Sequence, residues 1–187
     1  MDNSSYLSDH FLIAMPGLGD PNFHQSVTYI CRHDEHGALG IVVNRPLGLT
    51  LADVFEQMSL EAKNSGLGTQ IVLSGGPVQP ECGFVVHERS EAFESSLNIS
   101  DDLALTTSRD VLAAMAEGKG PGKALVALGY AGWDAGQLDR ELAENAWLSV
   151  PRESDILFAT PLEQRWTAAA RLLGVDISQL SHPAGHA

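Results

Sequence analysis

The chain is short of positive charge. Its 187 residues hold 11 Lys and Arg against 24 Asp and Glu, a net charge of −13. The phosphate backbone of a nucleic acid repels such a surface unless the few basic residues cluster. No zinc finger, basic region or helix-turn-helix pattern stands out, so no direct nucleic-acid partner is expected. Cysteine is scarce too. Cys31 and Cys82 are too few for a disulfide scaffold, and no C-x-x-C occurs. No apolar run approaches the length of a membrane span, so no membrane partner is expected. The opening MDNSSYLSD is polar and acidic and lacks a basic n-region, which makes a cytoplasmic protein the expectation. Internal repeats, low-complexity blocks and long linkers are missing as well. One domain over 1–187 is therefore expected, with a flexible tail over 180–187.

What is present suits a folded core. Hydrophobic residues make up 44% of the chain and charged residues 19%. Phe11–Ala14 predicts a short strand, and the proline- and glycine-rich Met15–Phe23 a loop. Ser26–Arg32 and Ala38–Asn44 predict a hairpin whose loop, Asp34–Gly37, is slightly longer than the tightest type. Thr50 and Asp53 form a capping box ahead of a helix with Leu51, Val54, Phe55 and Met58 on one face. Asn64–Gly68 is a polar linker. Ile71–Leu73, Gly83–His87 and Leu103–Thr106 predict strands, with a short edge strand near Leu97–Ile99. Thr107 caps a helix that buries Val111, Leu112 and Met115 and stops at Gly118. Asp155–Phe158 predicts a last strand. Thr160-Pro161-Leu162-Glu163 opens a last helix ending at Gly174. Hairpin strands followed by strands with helices between them argue α+β.

The stretch KALVALGYAGWDAGQLDRELAENAWL, Lys123–Leu148, carries the most information. Ala124–Leu128 reads as a buried strand that stops at the glycines 129 and 132. Asp134 caps a helix over 135–146, with Gln137 in the capping-box position and Trp147 closing the segment. A strand, a glycine turn and a helix start can present free amides to an anion. The spacing Gly129-x-x-Gly132-x-x-x-Gly136 is neither a dinucleotide fingerprint nor a phosphate loop. The turn admits two readings: an anion cradle, or a tight turn packing Tyr130 and Trp133 into the core.

Other chemistry finds little support. Cys31-x-His33-x-x-His36 gathers three ligand types, but structural zinc takes four, so neither metal nor cofactor is expected. Cys82 follows acidic Glu81, the wrong neighbour for a reactive thiol. No G-x-S-x-G occurs, and nothing pairs His87 with a nucleophile and a carboxylate. The arginines say more. Arg109 lies in the first turn of a helix, where a cation opposes the dipole. Either an internal carboxylate such as Asp110 offsets it, or it receives an external anion together with Arg45 at a strand end.

GYAGWDAGQLDRELAENAWL resembles the signature GYAGW-x-x-GQLE-x-E-(I/L)-x-x-N-x-W of the AlgH/YqgE family of bacterial proteins, with Asp139 where the family usually has Glu. LIAMPGLGDPNFHQSVTYICRHDEHGALGIVVNRP, GGPV and TTSRDVL extend the resemblance over nearly the whole chain. It implies a mixed, bifurcated sheet with a small closed barrel and flanking helices. It also implies an indirect regulator of transcription in exopolysaccharide (alginate) production, acting through a small anionic ligand or a protein partner. An enzyme built on the same motifs is the alternative, and a direct DNA-binding regulator ranks last. The candidate ligand-binding residues are Asn44, Arg45, Gly75, Gly76, Ser108, Arg109, Gly129, Tyr130, Gly132, Trp133 and Gln137.

Overall fold

Phe11, Leu12, Ile13 and Ala14 are all buried, as a continuous apolar run covered on both faces requires. They lie in the first of ten strands among the described residues of the computed structural model, which are 6–15, 25–62 and 66–174. The elements are β1 (His10–Ala14), β2 (Val27–Asp34), β3 (Gly37–Val42), β4 (Pro46–Thr50), α1 (Leu51–Gln57), β5 (Ile71–Ser74), β6 (Val78–Glu88), β7 (Ser96–Asn98), β8 (Leu103–Thr106), α2 (Arg109–Ala116), β9 (Ala124–Asp134), α3 (Gln137–Ala143), β10 (Trp147–Pro151), α4 (Ser154–Phe158) and α5 (Arg165–Leu172). The fold is α+β. The tail over 180–187 lies outside the described residues, as does part of the loop expected at 15–23. Contacts divide the chain into two compact units, residues 1–44 with 131–187, and residues 45–130.

In the first unit the antiparallel order is β10-β1-β2-β3-β9, with only the last four residues of β9 taking part. Asp34 pairs with Gly37, so the hairpin loop is just Glu35-His36, tighter than expected. Gly37 permits this: its φ is +135°, and a Cβ there would lie 2.2 Å from the Trp133 carbonyl oxygen. The core of one face gathers Leu12, Ile30, Ala131, Trp133, Leu138 and Trp147.

Several expectations change here. β9 does not stop at Gly129 but runs on to Asp134, because residues 131–134 pair with β3. α3 starts at Gln137 behind Gly136, whose φ is +74°. Half of the expected box survives, since Gln137 Oε1 accepts from the Asp134 amide at 3.0 Å. Trp147 opens β10 rather than closing the helix. Asp155–Phe158 is helical, closed by the amides of Ala159 and Thr160 donating to the Asp155 carbonyl. The Thr160 hydroxyl also donates to that carbonyl instead of capping. Leu162–Gln164 is then a 3₁₀ turn, and α5 begins at Arg165.

In the second unit the order is β4-β5-β9-β6-β8-β7. β5 and β9 pair in parallel and the other neighbours antiparallel, so the pairing is mixed. It also branches at β9, which pairs with β5 and β6 before its last four residues join β3. Among the described residues both sheets stay open, with no pairing that joins their ends. Thr50 and Asp53 form the reciprocal box that starts α1. Leu51, Val54 and Phe55 of α1 and Val111, Leu112 and Met115 of α2 pack over Val72, Val85 and Val126. Burying a side chain such as Phe55 stabilises by roughly 1.5–3 kcal/mol. β4 has no counterpart in the sequence reading. β6 starts five residues before the expected Gly83.

Candidate functional site

The second unit holds a cavity of about 300 Å³. Buried Val85 and Val126 on adjacent strands, with Leu112 of α2, form its apolar floor. Alternation along β6 brings Glu81 and Gly83 to the same lining as Val85. Gly83 leaves the space open: a Cβ there would meet only Leu128 Cδ2, at 3.9 Å. Exposed Gln57, Glu81, Thr107 and Arg109, with half-buried Ser108, make the mouth polar.

The start of α2 sets the electrostatics. Ser108, not Thr107, is the N-cap, one residue later than expected. Its hydroxyl donates to Asp110 at 2.5 Å and accepts from the Ser95 amide at 3.0 Å. Burial raises the Asp110 pKa, but donors outweigh it: the Ser108 hydroxyl and the amides of Glu94, Val111 and Asp110 hold it below the usual value. The helix start that could have cradled an external anion is thus filled by the chain's own carboxylate. Arg109 is exposed and donates through Nη2 to the Met58 carbonyl at 2.9 Å. No carboxylate pairs with it among the described residues. A backbone carbonyl fixes the side chain without neutralising it.

The other candidates in this unit do not line the cavity. Gly75 and Gly129 are pressed together: a Cβ on Gly75 would lie 2.3 Å from the Gly129 carbonyl oxygen, and one on Gly129 2.3 Å from that of Gly76. The Gly75 amide donates to the Leu128 carbonyl at 2.8 Å. These glycines allow backbone to approach backbone. Arg45 is half-buried, and its carbonyl accepts from the Ser74 amide. Tyr130 packs edge-on against Phe84, centroids 5.3 Å apart. His87 is buried, with Nε2 2.7 Å from the Thr106 hydroxyl and Nδ1 2.8 Å from the Glu88 carbonyl oxygen. That is the layout of a base and a nucleophile, but Thr106 is 0% exposed and also bonds Ser96. Thr106 also belongs to the lining of the cavity.

Comparison with known proteins gives a single answer. The AlgH-like family model matches residues 11–178. The chain belongs to the AlgH-like family. A UPF0301 protein of Thioalkalivibrio sulfidiphilus is 55% identical over 187 residues, covering 100% of both chains. Another from Chromobacterium violaceum is 53% identical over 181 residues, 97% of each chain. The solution structure of the AlgH protein from Pseudomonas aeruginosa is 50% identical, with a TM-score of 0.80 over 100% of this chain and 99% of that one.

In this AlgH-like chain the signature sequence closes around Glu141. Oε1 accepts from the indoles of Trp133 at 3.2 Å and Trp147 at 2.9 Å, and Oε2 from the Gln137 amide at 2.9 Å. The two indole rings meet edge to face, centroids 6.0 Å apart. Gly132 sits opposite Leu39 in the ladder. Asn44 accepts from the Val27 amide and donates to the Gln25 carbonyl, both at 2.9 Å. All of these residues belong to the first unit, where they serve the fold. Cys31, considered as a ligand, is buried with its thiol pushed up by burial and then by Asp9. The His33 Nδ1 accepts from the Leu7 amide at 3.0 Å. Of the lining, only Ser108 and Arg109 were site candidates from sequence; Gln57, Glu81, Gly83, Thr106 and Thr107 were among those missed. Helical spacing from Val54 and strand alternation from Val85 would have found the first three.

Proposed function

We propose that this AlgH-like protein is a cytosolic regulatory binding protein. It acts indirectly on transcription, in exopolysaccharide (alginate) production, through a small ligand that carries an anionic group. Arg109 receives that group at the mouth of the cavity. The observation that carries the reading is Arg109: an exposed guanidinium beside an apolar space, held by a carbonyl and matched by no carboxylate. An unneutralised fork beside an apolar floor suits an amphipathic anion. The net charge of −13 supports action through a ligand or a protein partner rather than through DNA.

Amide resonances test the reading. Hexanoate and L-leucine at millimolar concentration are expected to shift Gly83, Ser108, Arg109 and Leu112 together. Gly83→Leu fills the cavity without a strained φ and is expected to abolish those shifts while the spectrum stays folded. If neither compound moves these resonances in the wild type, or if the shifts persist in Gly83→Leu, the cavity is not a ligand site.

A further inference from the structure

The cavity lining carries one charge of each sign. Arg109 and Glu81 both line it, and both side chains are exposed. Among the described residues neither takes part in an ion pair, with the other or with any third group. Two opposite charges on one small lining that do not meet leave room for something between them. A simple anion gains at Arg109 and loses at Glu81, because a carboxylate disfavours a second negative group nearby. A ligand with a carboxylate and an ammonium gains at both. Below the charges the surface is aliphatic: Val85, Leu112, Val126 and Leu128. The volume, about 300 Å³, is at the small end for ligand pockets. An aromatic wall is missing from the lining.

We infer that the cavity binds a free aliphatic α-amino acid as its zwitterion. The inference rests on the reading of the cavity as a ligand site and names the class of ligand. The carboxylate lies against the Arg109 N–H groups not engaged by Met58. The ammonium faces Glu81, and the branched side chain enters the space left open at Gly83. Specificity follows from matching charge at both ends of the ligand. A ligand lacking either group forgoes one of the two pairings.

Calorimetry with three ligands on the full chain tests this. L-Leucine carries both groups, 4-methylpentanoate lacks the amine, and 3-methylbutylamine lacks the carboxylate. Leucine is expected to bind the wild type at least about tenfold more tightly than either relative. Glu81→Gln is expected to weaken leucine about tenfold and to strengthen 4-methylpentanoate, since the like charge is gone. Arg109→Gln is expected to weaken leucine and 4-methylpentanoate but not 3-methylbutylamine. If 4-methylpentanoate matches leucine in the wild type and Glu81→Gln leaves leucine unchanged, the amino-acid inference fails while the anion reading stands. If 3-methylbutylamine matches leucine and Arg109→Gln changes nothing, both fail. Leucine binding that survives Gly83→Leu lies elsewhere and overturns the inference.

Discussion

The two units handle their polar groups differently. The first surrounds two carboxylates, Asp9 and Glu141, with donors of its own chain. Asp9 accepts from Arg152 Nε at 2.9 Å, from Nη2 at 3.2 Å and from the Tyr29 hydroxyl at 2.6 Å. Burial, and then that bond to Asp9, push the Tyr29 phenol well above its usual pKa. Glu141 is surrounded by donors in the same way. The second unit relies on an aliphatic core and on backbone pressed against backbone at Gly75 and Gly129. It leaves Glu81 and Arg109 facing open space. A charge satisfied within the chain has little left to offer a ligand, while an unsatisfied one does. The signature from Ala131 onward therefore lies in the unit that surrounds its carboxylates, and the candidate site in the other.

Substitution at the glycine contact should have the largest effect. Gly129 has φ of +79°, and its Cβ would overlap the Gly76 carbonyl oxygen. Left-handed strain adds to overpacking against backbone, so Gly129→Ala should cost about 4 kcal/mol by urea unfolding. A loss under about 1 kcal/mol would mean that the strands separate easily and that the glycines serve something else. The matching probe in the first unit is Asp9→Ala. It removes the carboxylate that Arg152, whose side chain is 11% exposed, and the Tyr29 hydroxyl both bond. Asp9 itself is 30% exposed, so the low end of the range for a broken buried pair applies, about 3 kcal/mol. Asp9→Asn should recover part of this.

The same contrast explains what could be read in advance. Local chemistry was legible: the Thr50–Asp53 box, the buried face of α2 and the strand β8 stand where pattern puts them. Distant partners were not. The glycines of GYAGW suggest a break, but β3 pairs with residues 131–134 and keeps the strand going. Pro46 and Gly48 argue against a strand, yet β4 is an edge that tolerates both. Asp155–Phe158 is too short an apolar run to separate helix from strand by period. For the site, Arg109 was visible because a cation in a first turn is locally unfavourable. Glu81 was hidden because the strand was expected to start only at Gly83, whereas β6 starts at Val78.

Acid should weaken the start of α2. The folded pKa of Asp110 lies below its unfolded value. Its contribution is therefore present above the unfolded carboxylate pKa and is lost as pH falls through the folded one. Asp110→Asn should lower the unfolding free energy at neutral pH by a modest amount, about 1 kcal/mol, since the group lies near the surface. The gap between variant and wild type should close as pH falls below the usual carboxylate range. A gap that stays constant with pH would mean that the carboxylate charge contributes nothing.

The smallest expected change is also the most discriminating. If Arg109 offset a buried carboxylate, removing it would destabilise the protein by about 3–5 kcal/mol. The structure shows instead an exposed side chain with one bond, to the Met58 carbonyl. Losing an exposed contact of that kind costs within about 0.5 kcal/mol. Arg109→Ala should therefore unfold at nearly the wild-type urea concentration while losing ligand binding at the cavity. Stability and binding separate in this one variant, as they cannot in Asp9→Ala. A large loss of stability would make Arg109 part of the scaffold. The second unit would then close its charges as the first does, and the contrast between them would disappear.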